Sequence, residues 1–191
     1  MVDSWDNYDI YQKHLTMVAY EIECVIECSK HYQGLIKEIE NDGLDIVNIA
    51  PSFFSEIINS FKYKIVVASR KLFDDTGRGN FKSLLNSKTL NNKYYGKIRK
   101  ICELSLKNLE TYDDILQMIR IDRNKYYGHL EMNFFAGIIS DEIFDEQNFK
   151  KLNQLLEWAW SVVCQIMKMC NASIPSKVYN IDVNKLFIKL K

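Results

Sequence analysis

Phe54, Ile58, Phe61, Ile65, Ala68 and Leu72 follow one another at alternating spacings of four and three, the seam of a helix packed nearly antiparallel to its neighbours. Pro51 opens this helix, where its missing N–H costs nothing, and the polar run Asp74-Asp75-Thr76-Gly77-Arg78-Gly79-Asn80 ends it. Upstream, a longer helix is expected from Asp6 to Ile39, stopping at Asn41-Asp42-Gly43 because glycine tolerates left-handed dihedrals. Leu15, Val18, Ile22, Val25 and Ile36 line one of its stripes, and Met17, Cys24, Cys28, His31 and Leu35 line a second flank, so this helix is expected to be covered on two sides, by a bundle interior or a dimer contact.

The periodicity continues downstream. Phe81 to Leu85 reads as a short helical turn, followed by a basic helix from Asn92 to Leu109 with Lys93, Lys97, Lys100 and Lys107 set among Ile98, Ile101, Leu104 and Leu106. Thr111 begins another helix, its hydroxyl suited to capping free amides, with Asp113 and Asp114 at the positive end of the helix dipole. Asn133 to Asp145 reads as a connection. Glu146 to Asn171 reads as the most buried helix, its polar positions Glu157, Ser161, Gln165 and Lys168 confined to one narrow stripe beside Trp158, Trp160, Val162, Val163, Ile166 and Met167. After Pro175 a final short helix or strand is expected from Asp182 to Lys191.

These elements predict an all-α chain, a single-domain antiparallel helical bundle of about five to seven helices over residues 1–175, with a C-terminal extension over 176–191. Composition agrees. A chain of 191 residues with 47% hydrophobic content holds one domain with a real core, and two prolines and seven glycines are too few for a turn-rich all-β protein. The five cysteines lie inside expected helices behind an acidic, polar start, which points to a reduced, cytoplasmic setting. Ser161, Gln165 and Lys168 interrupt the most apolar stretch, so no membrane span is expected.

The net charge of zero hides a division. Met1 to Ser60 carries eleven acids against three bases, and Gly77 to Lys107 carries eight bases against one acid. One surface then repels polyanions and another attracts them, or the two attract each other within a molecule or a dimer.

Candidate chemistry concentrates in Arg123-Asn124-Lys125-Tyr126-Tyr127-Gly128-His129. Arginine is permanently charged and offers phosphate a planar fork of donors; histidine accepts and returns a proton near neutral pH. Together they can cleave a phosphodiester without a metal. On a helical wheel Tyr112, Ile115, Leu116, Ile119, Tyr126 and Leu130 define an apolar stripe, and Arg123 is expected within it. A guanidinium there must meet a carboxylate, a wet cleft or a substrate phosphate. On a straight helix His129 lies roughly 120° around and about 9 Å along from Arg123. Either Gly128 permits a local distortion, or the histidine of one chain works beside the arginine of a second across a twofold axis.

Arg123 followed by Asn124 and a short spacer before His129 resembles the signature of the HEPN superfamily of all-helical domains, which occur in toxins, phage-defence proteins and RNA-processing factors. Phe53-Phe54 through Arg70-Lys71-Leu72-Phe73-Asp74-Asp75, then a polar loop and the motif helix, is similar to its abortive-infection branch over Pro51 to His129. The resemblance implies a metal-independent endoribonuclease acting as a homodimer, with a toxin-antitoxin or defence-system partner and no cofactor. Arg123 would bind the scissile phosphate, His129 would handle the proton of the 2′-hydroxyl or the leaving group, and Asn124 would hold the site. Lys93, Lys97, Lys100, Lys125 and Tyr127 would contact RNA. In some toxin members a tyrosine two positions after the histidine is modified by the antitoxin; here that position is Glu131. The rival expectation is a non-catalytic RNA- or protein-binding module of the same fold.

Competing sites are weaker. Cys24, Cys28 and His31 share a helix face but have no identifiable fourth zinc ligand, so no metal is expected. Gly77-Arg78-Gly79 follows no strand and is only a loop, and no serine or cysteine triad can be read.

Overall fold

The computed structural model describes residues 3–73, 79–91, 95–127 and 142–173, and every regular element among them is a helix. The long α1 (Asp3–Glu38) runs through a π turn (Ile39–Gly43) into the short α2 (Leu44–Ile49). Then follow α3 (Pro51–Phe73), the single turn α4 (Phe81–Leu85), α5 (Gly96–Leu109), α6 (Asp113–Tyr127) and α7 (Glu146–Met169). Among the described residues the all-α bundle is as expected. The division at residue 175 and the final element lie outside them, as do residues 128–141.

Helix α1 is the spine: α3 packs along one side of it and α7 along another. Gln12 Nε2 donates to the Cys170 carbonyl at 3.2 Å, while Tyr32 meets the Phe149 ring edge-on at 5.3 Å. The start of α1 therefore lies at the end of α7 and the reverse, an antiparallel pair. Helix α6 packs on α3, and α5 packs on α4 and α7. Leu15, Ile22, Ile65, Ile115, Ile119, Leu152, Leu155 and Ile166 are fully buried where these helices meet. Each such side chain contributes roughly 1.5–3 kcal/mol by leaving water.

Several expectations need correction. The chain does not stop at Asn41-Asp42-Gly43; the π turn adds residues to the helical path and leads directly into α2. On α1 Leu15, Val18, Ile22 and Val25 are buried, and so are Cys28, His31 and Leu35, but Met17 is 60% exposed and Ile36 only half-buried, so the second flank is covered only from about Cys24 onward. On α5 the buried positions are Ile98, Cys102, Ser105 and Leu109, spaced four, three and four, which turns Leu104 out to solvent. Thr111 is not an N-cap: a 3₁₀ turn (Glu110–Tyr112) joins α5 to α6, and the Thr111 hydroxyl donates back to the Asn108 carbonyl at 2.7 Å. Trp158 and Trp160 are half-buried; Trp158 stacks on Tyr112 and meets Phe81 edge-on.

Helix ends follow local chemistry. Asn80 caps α4 by accepting from Ser83 N at 2.7 Å, and the Ser83 hydroxyl accepts in return from Asn80 N. The preceding Gly79 has φ +110°, a region that only glycine enters without strain. Asp145 caps α7 by accepting from Gln147 N at 3.0 Å. At its other end α7 stops at Met169, because Asn171 turns left-handed and the amides of Asn171 and Ala172 reach back to the carbonyls of Lys168 and Met167. Among the described residues no helix is long and apolar enough to cross a membrane.

Candidate functional site

Helix α6 is anchored at its start. The Asp114 carboxylate receives Lys151 of α7 at 2.7 Å, which holds its pKa below the usual carboxylate value, helped by the Ile115 amide. One turn on, Ile115 and Ile119 reach the core. The inward line then ends not on Arg123 but on Asp122, which is 1% exposed. From Ile119 a step of three and a step of four both keep a helical stripe, so pattern alone admits either residue. The buried centre is set by Ile115, Ile119 and Asp122, and Arg123, about 100° further around, is turned out to solvent.

The buried carboxylate is compensated locally. Asp122 Oδ2 accepts a hydrogen bond from the backbone amide of Ile143 at 3.0 Å, within a 3₁₀ turn (Glu142–Phe144), and the Ile143 side chain is itself fully buried. The bond gives one of the carboxyl oxygens a partner where water does not reach it.

Arg123 and Asn124 stand together on the outward side of the same turn. The Arg123 Nη1 donates to Asn124 Oδ1 at 3.2 Å, and both side chains are exposed. The backbone of Lys125 and Tyr127 completes α6, but their side chains, like Lys93 and His129 entirely, lie outside the described residues. Lys97 and Lys100 are exposed on the first two turns of α5. Helix α5 packs on α4 and α7, and its last turn leads through the 3₁₀ turn into α6.

Closer to Arg123 is a groove of about 810 Å³ in the angle between α4, the end of α5 and the flank of α6. Leu106, Leu109 and Leu116 form its apolar wall, and Lys82, Arg120, Glu110 and Asp113 bring charges of both signs to it. Arg120 precedes Arg123 by one helical turn, so a cationic flank continues from the groove to the candidate site. The sequence pattern assigns no site role to Asp122, Arg120 or Lys82. The seven-residue step from Ile115 to Asp122 was the available signal for the first; the other two depend on how α4 meets α6.

Three of the cysteines are shifted away from nucleophilic activation. Burial pushes the Cys102 thiol up to about 11 and raises those of Cys28 and Cys164, and a reactive cysteine needs the opposite shift. All five are free thiols. His31, beside Cys24 and Cys28 on α1, faces the Phe61 ring at 6.2 Å, and among the described residues no three histidine, cysteine or acidic side chains gather as metal ligands.

Fold and site together define an all-α bundle that displays an arginine–asparagine pair over a buried carboxylate. No family model matches the chain, and neither does any curated protein or solved structure.

Proposed function

We propose that this chain is a metal-independent endoribonuclease of the toxin or phage-defence type, acting in the cytoplasm on RNA at a composite Arg/His site formed across a homodimer. The observation that carries the reading is the exposure of Arg123, its guanidinium held by Asn124, on a helix whose opposite face is fixed in the core. An arginine locked beneath hydrocarbon could not meet a phosphate; this one can. The resemblance of Arg123-Asn124 with His129 to the HEPN signature supplies the chemistry, and the cationic flank through Arg120 favours a polyanionic substrate.

In this reading Arg123 takes the oxygens of the scissile phosphate and stabilises the extra negative charge that develops on them. The 2′-oxygen attacks phosphorus as its proton leaves to a base. The bond from phosphorus to the 5′-oxygen breaks, and that oxygen takes up a proton. The partner copy's histidine at position 129 serves one of the two transfers, and solvent serves the other. The products are a 2′,3′-cyclic phosphate and a 5′-hydroxyl. DNA, without the 2′-hydroxyl, stays intact. A defence-system or antitoxin partner would hold the activity in check.

The test is to incubate purified protein with single-stranded RNA in excess chelator. Wild type should cleave, and His129→Ala should not. Equal trace cleavage by both removes the catalytic reading, and salt-sensitive binding without cleavage points instead to a non-catalytic RNA-binding module.

A further inference from the structure

The groove between α4, the end of α5 and the flank of α6 has a chemistry that the Arg123 site does not use. Its volume of about 810 Å³ falls within the range of roughly 300–1,000 Å³ typical of small-molecule sites. Leu106, Leu109 and Leu116 give it an apolar wall, and its two cations differ from its two carboxylates in burial. Lys82 and Arg120 are half-buried, whereas Glu110 and Asp113 are exposed. A cation partly shielded from water attracts an anion more strongly than an exposed carboxylate repels it, so the groove favours a negative group despite its balanced charge. The groove along α1 and α7, of about 870 Å³, lacks this asymmetry: Lys30, Lys37 and Lys150 are all exposed, and Lys30 is held by Glu27 at 2.8 Å.

The remaining polar groups suit a sugar and a base. Among the described residues neither Glu110 nor Asp113 makes an ion pair, so both carboxylates are open to hydroxyl donors, and a carboxylate is a favoured acceptor for the ribose 2′-hydroxyl. Asn86 gives its Nδ2 to the Lys82 carbonyl at 3.1 Å, which orients the amide and leaves its oxygen as an acceptor. Gln117, exposed on α6, adds a second amide. We propose that this groove binds a ribonucleotide, with its phosphate at Lys82 and Arg120, its ribose hydroxyls at Glu110 and Asp113, and its base on the leucine wall with the two amides at its edge. The proposal goes beyond the ribonuclease reading and stands without it. The nucleotide is either free or one unit of an RNA strand. Side chains three apart on a helix are neighbours at about 5–6 Å, so a strand with one phosphate at Arg120 can present the next to Arg123.

The test is calorimetric titration of the whole chain with the four ribonucleoside 5′-monophosphates, their deoxyribose counterparts and inorganic phosphate. At least one ribonucleotide should bind saturably, about tenfold more tightly than its deoxy form, with phosphate alone weaker than either. Arg120→Ala should weaken ribonucleotide binding about tenfold, and Lys82→Ala gives the same reading if Arg120→Ala does not fold. The double substitution Glu110→Ala with Asp113→Ala should erase the preference for ribose while the deoxyribonucleotide binds at least as well as before. A short single-stranded RNA, titrated in a His129→Ala chain so that it stays whole, separates the two sources. If the strand is the ligand, it binds more tightly than the mononucleotide, and Arg123→Ala weakens the strand alone. If the free nucleotide is the ligand, the strand gains nothing and Arg123→Ala changes neither.

No saturable binding of any ribonucleotide at millimolar concentrations overturns the proposal. So does equal affinity for the ribose and deoxyribose forms, or binding that neither Arg120→Ala nor Lys82→Ala alters. The two readings fail separately: nucleotide binding by a chain that leaves RNA intact removes the ribonuclease and keeps the groove, and RNA cleavage by a chain that binds no nucleotide does the reverse.

Discussion

Along α7 the polar residues Glu157, Ser161, Gln165 and Lys168 form one outward stripe, and the buried residues from Phe149 to Met167 are all apolar. Along α6 the inward line that begins with Ile115 and Ile119 ends on a carboxylate, and the next residue is an exposed arginine. Both helices cross the same core. The buried face of helix α7 is apolar throughout, and both its ends are capped. Helix α6 takes a carboxyl group out of water at its last turns, where one of its oxygens accepts from a backbone amide. The difference separates a helix buried by hydrocarbon from one that turns a carboxyl group inward and an arginine outward at consecutive positions.

Substitutions at the two helices should therefore fail in different ways. The largest effect on stability is expected from Leu155→Ala in α7, where a fully buried side chain leaves a cavity worth about 2–5 kcal/mol. Denaturant unfolding should show it as a lower midpoint with unchanged slope. Arg123→Ala, on the exposed side of α6, should leave stability within about 0.5 kcal/mol while lowering RNA cleavage by about a hundredfold or more. If Leu155→Ala lowers cleavage per folded molecule as much as Arg123→Ala does, the separation between the two helices is lost.

A smaller effect sharpens the structural half of the contrast. His14 on α1 sits against the α4 cap, with its Nε2 3.5 Å from the Ser83 hydroxyl. Burial lowers its pKa, only partly opposed by the backbone of Asn80 and Gly79. The unfolded chain then binds the proton more readily than the folded one. Its contribution to stability is complete above the ordinary histidine value near 6.5 and is lost as pH falls from there towards the lowered folded value. His14→Gln should flatten the pH dependence of the unfolding midpoint in that window. An unchanged slope contradicts the assignment.

Much of the bundle was legible because α3 and α7 repeat one spacing over many turns. The Pro51 start and the Asp145 to Glu146 boundary were equally plain, since each rests on the chemistry of one or two residues. What failed were positions where two registers fit. From Ile119, Asp122 and Arg123 are both helical neighbours, and only the packing of α6 on α3 and the amide of Ile143 decide which turns inward. Leu104 failed likewise, because Ser105 took the buried position beside it. The Asn41-Asp42-Gly43 stop was misread because a π turn passes the same residues without ending the helical path.

Co-expression of Arg123→Ala and Asn124-intact His129→Ala chains, purified as mixed dimers, tests the composite site most directly. Each variant alone should be inactive. In the mixture, half the dimers are heterodimers, and one of their two sites receives an intact arginine from one chain and an intact histidine from the other, restoring about a quarter of wild-type RNA cleavage. A mixture as inactive as either parent contradicts a site shared between two copies of this chain.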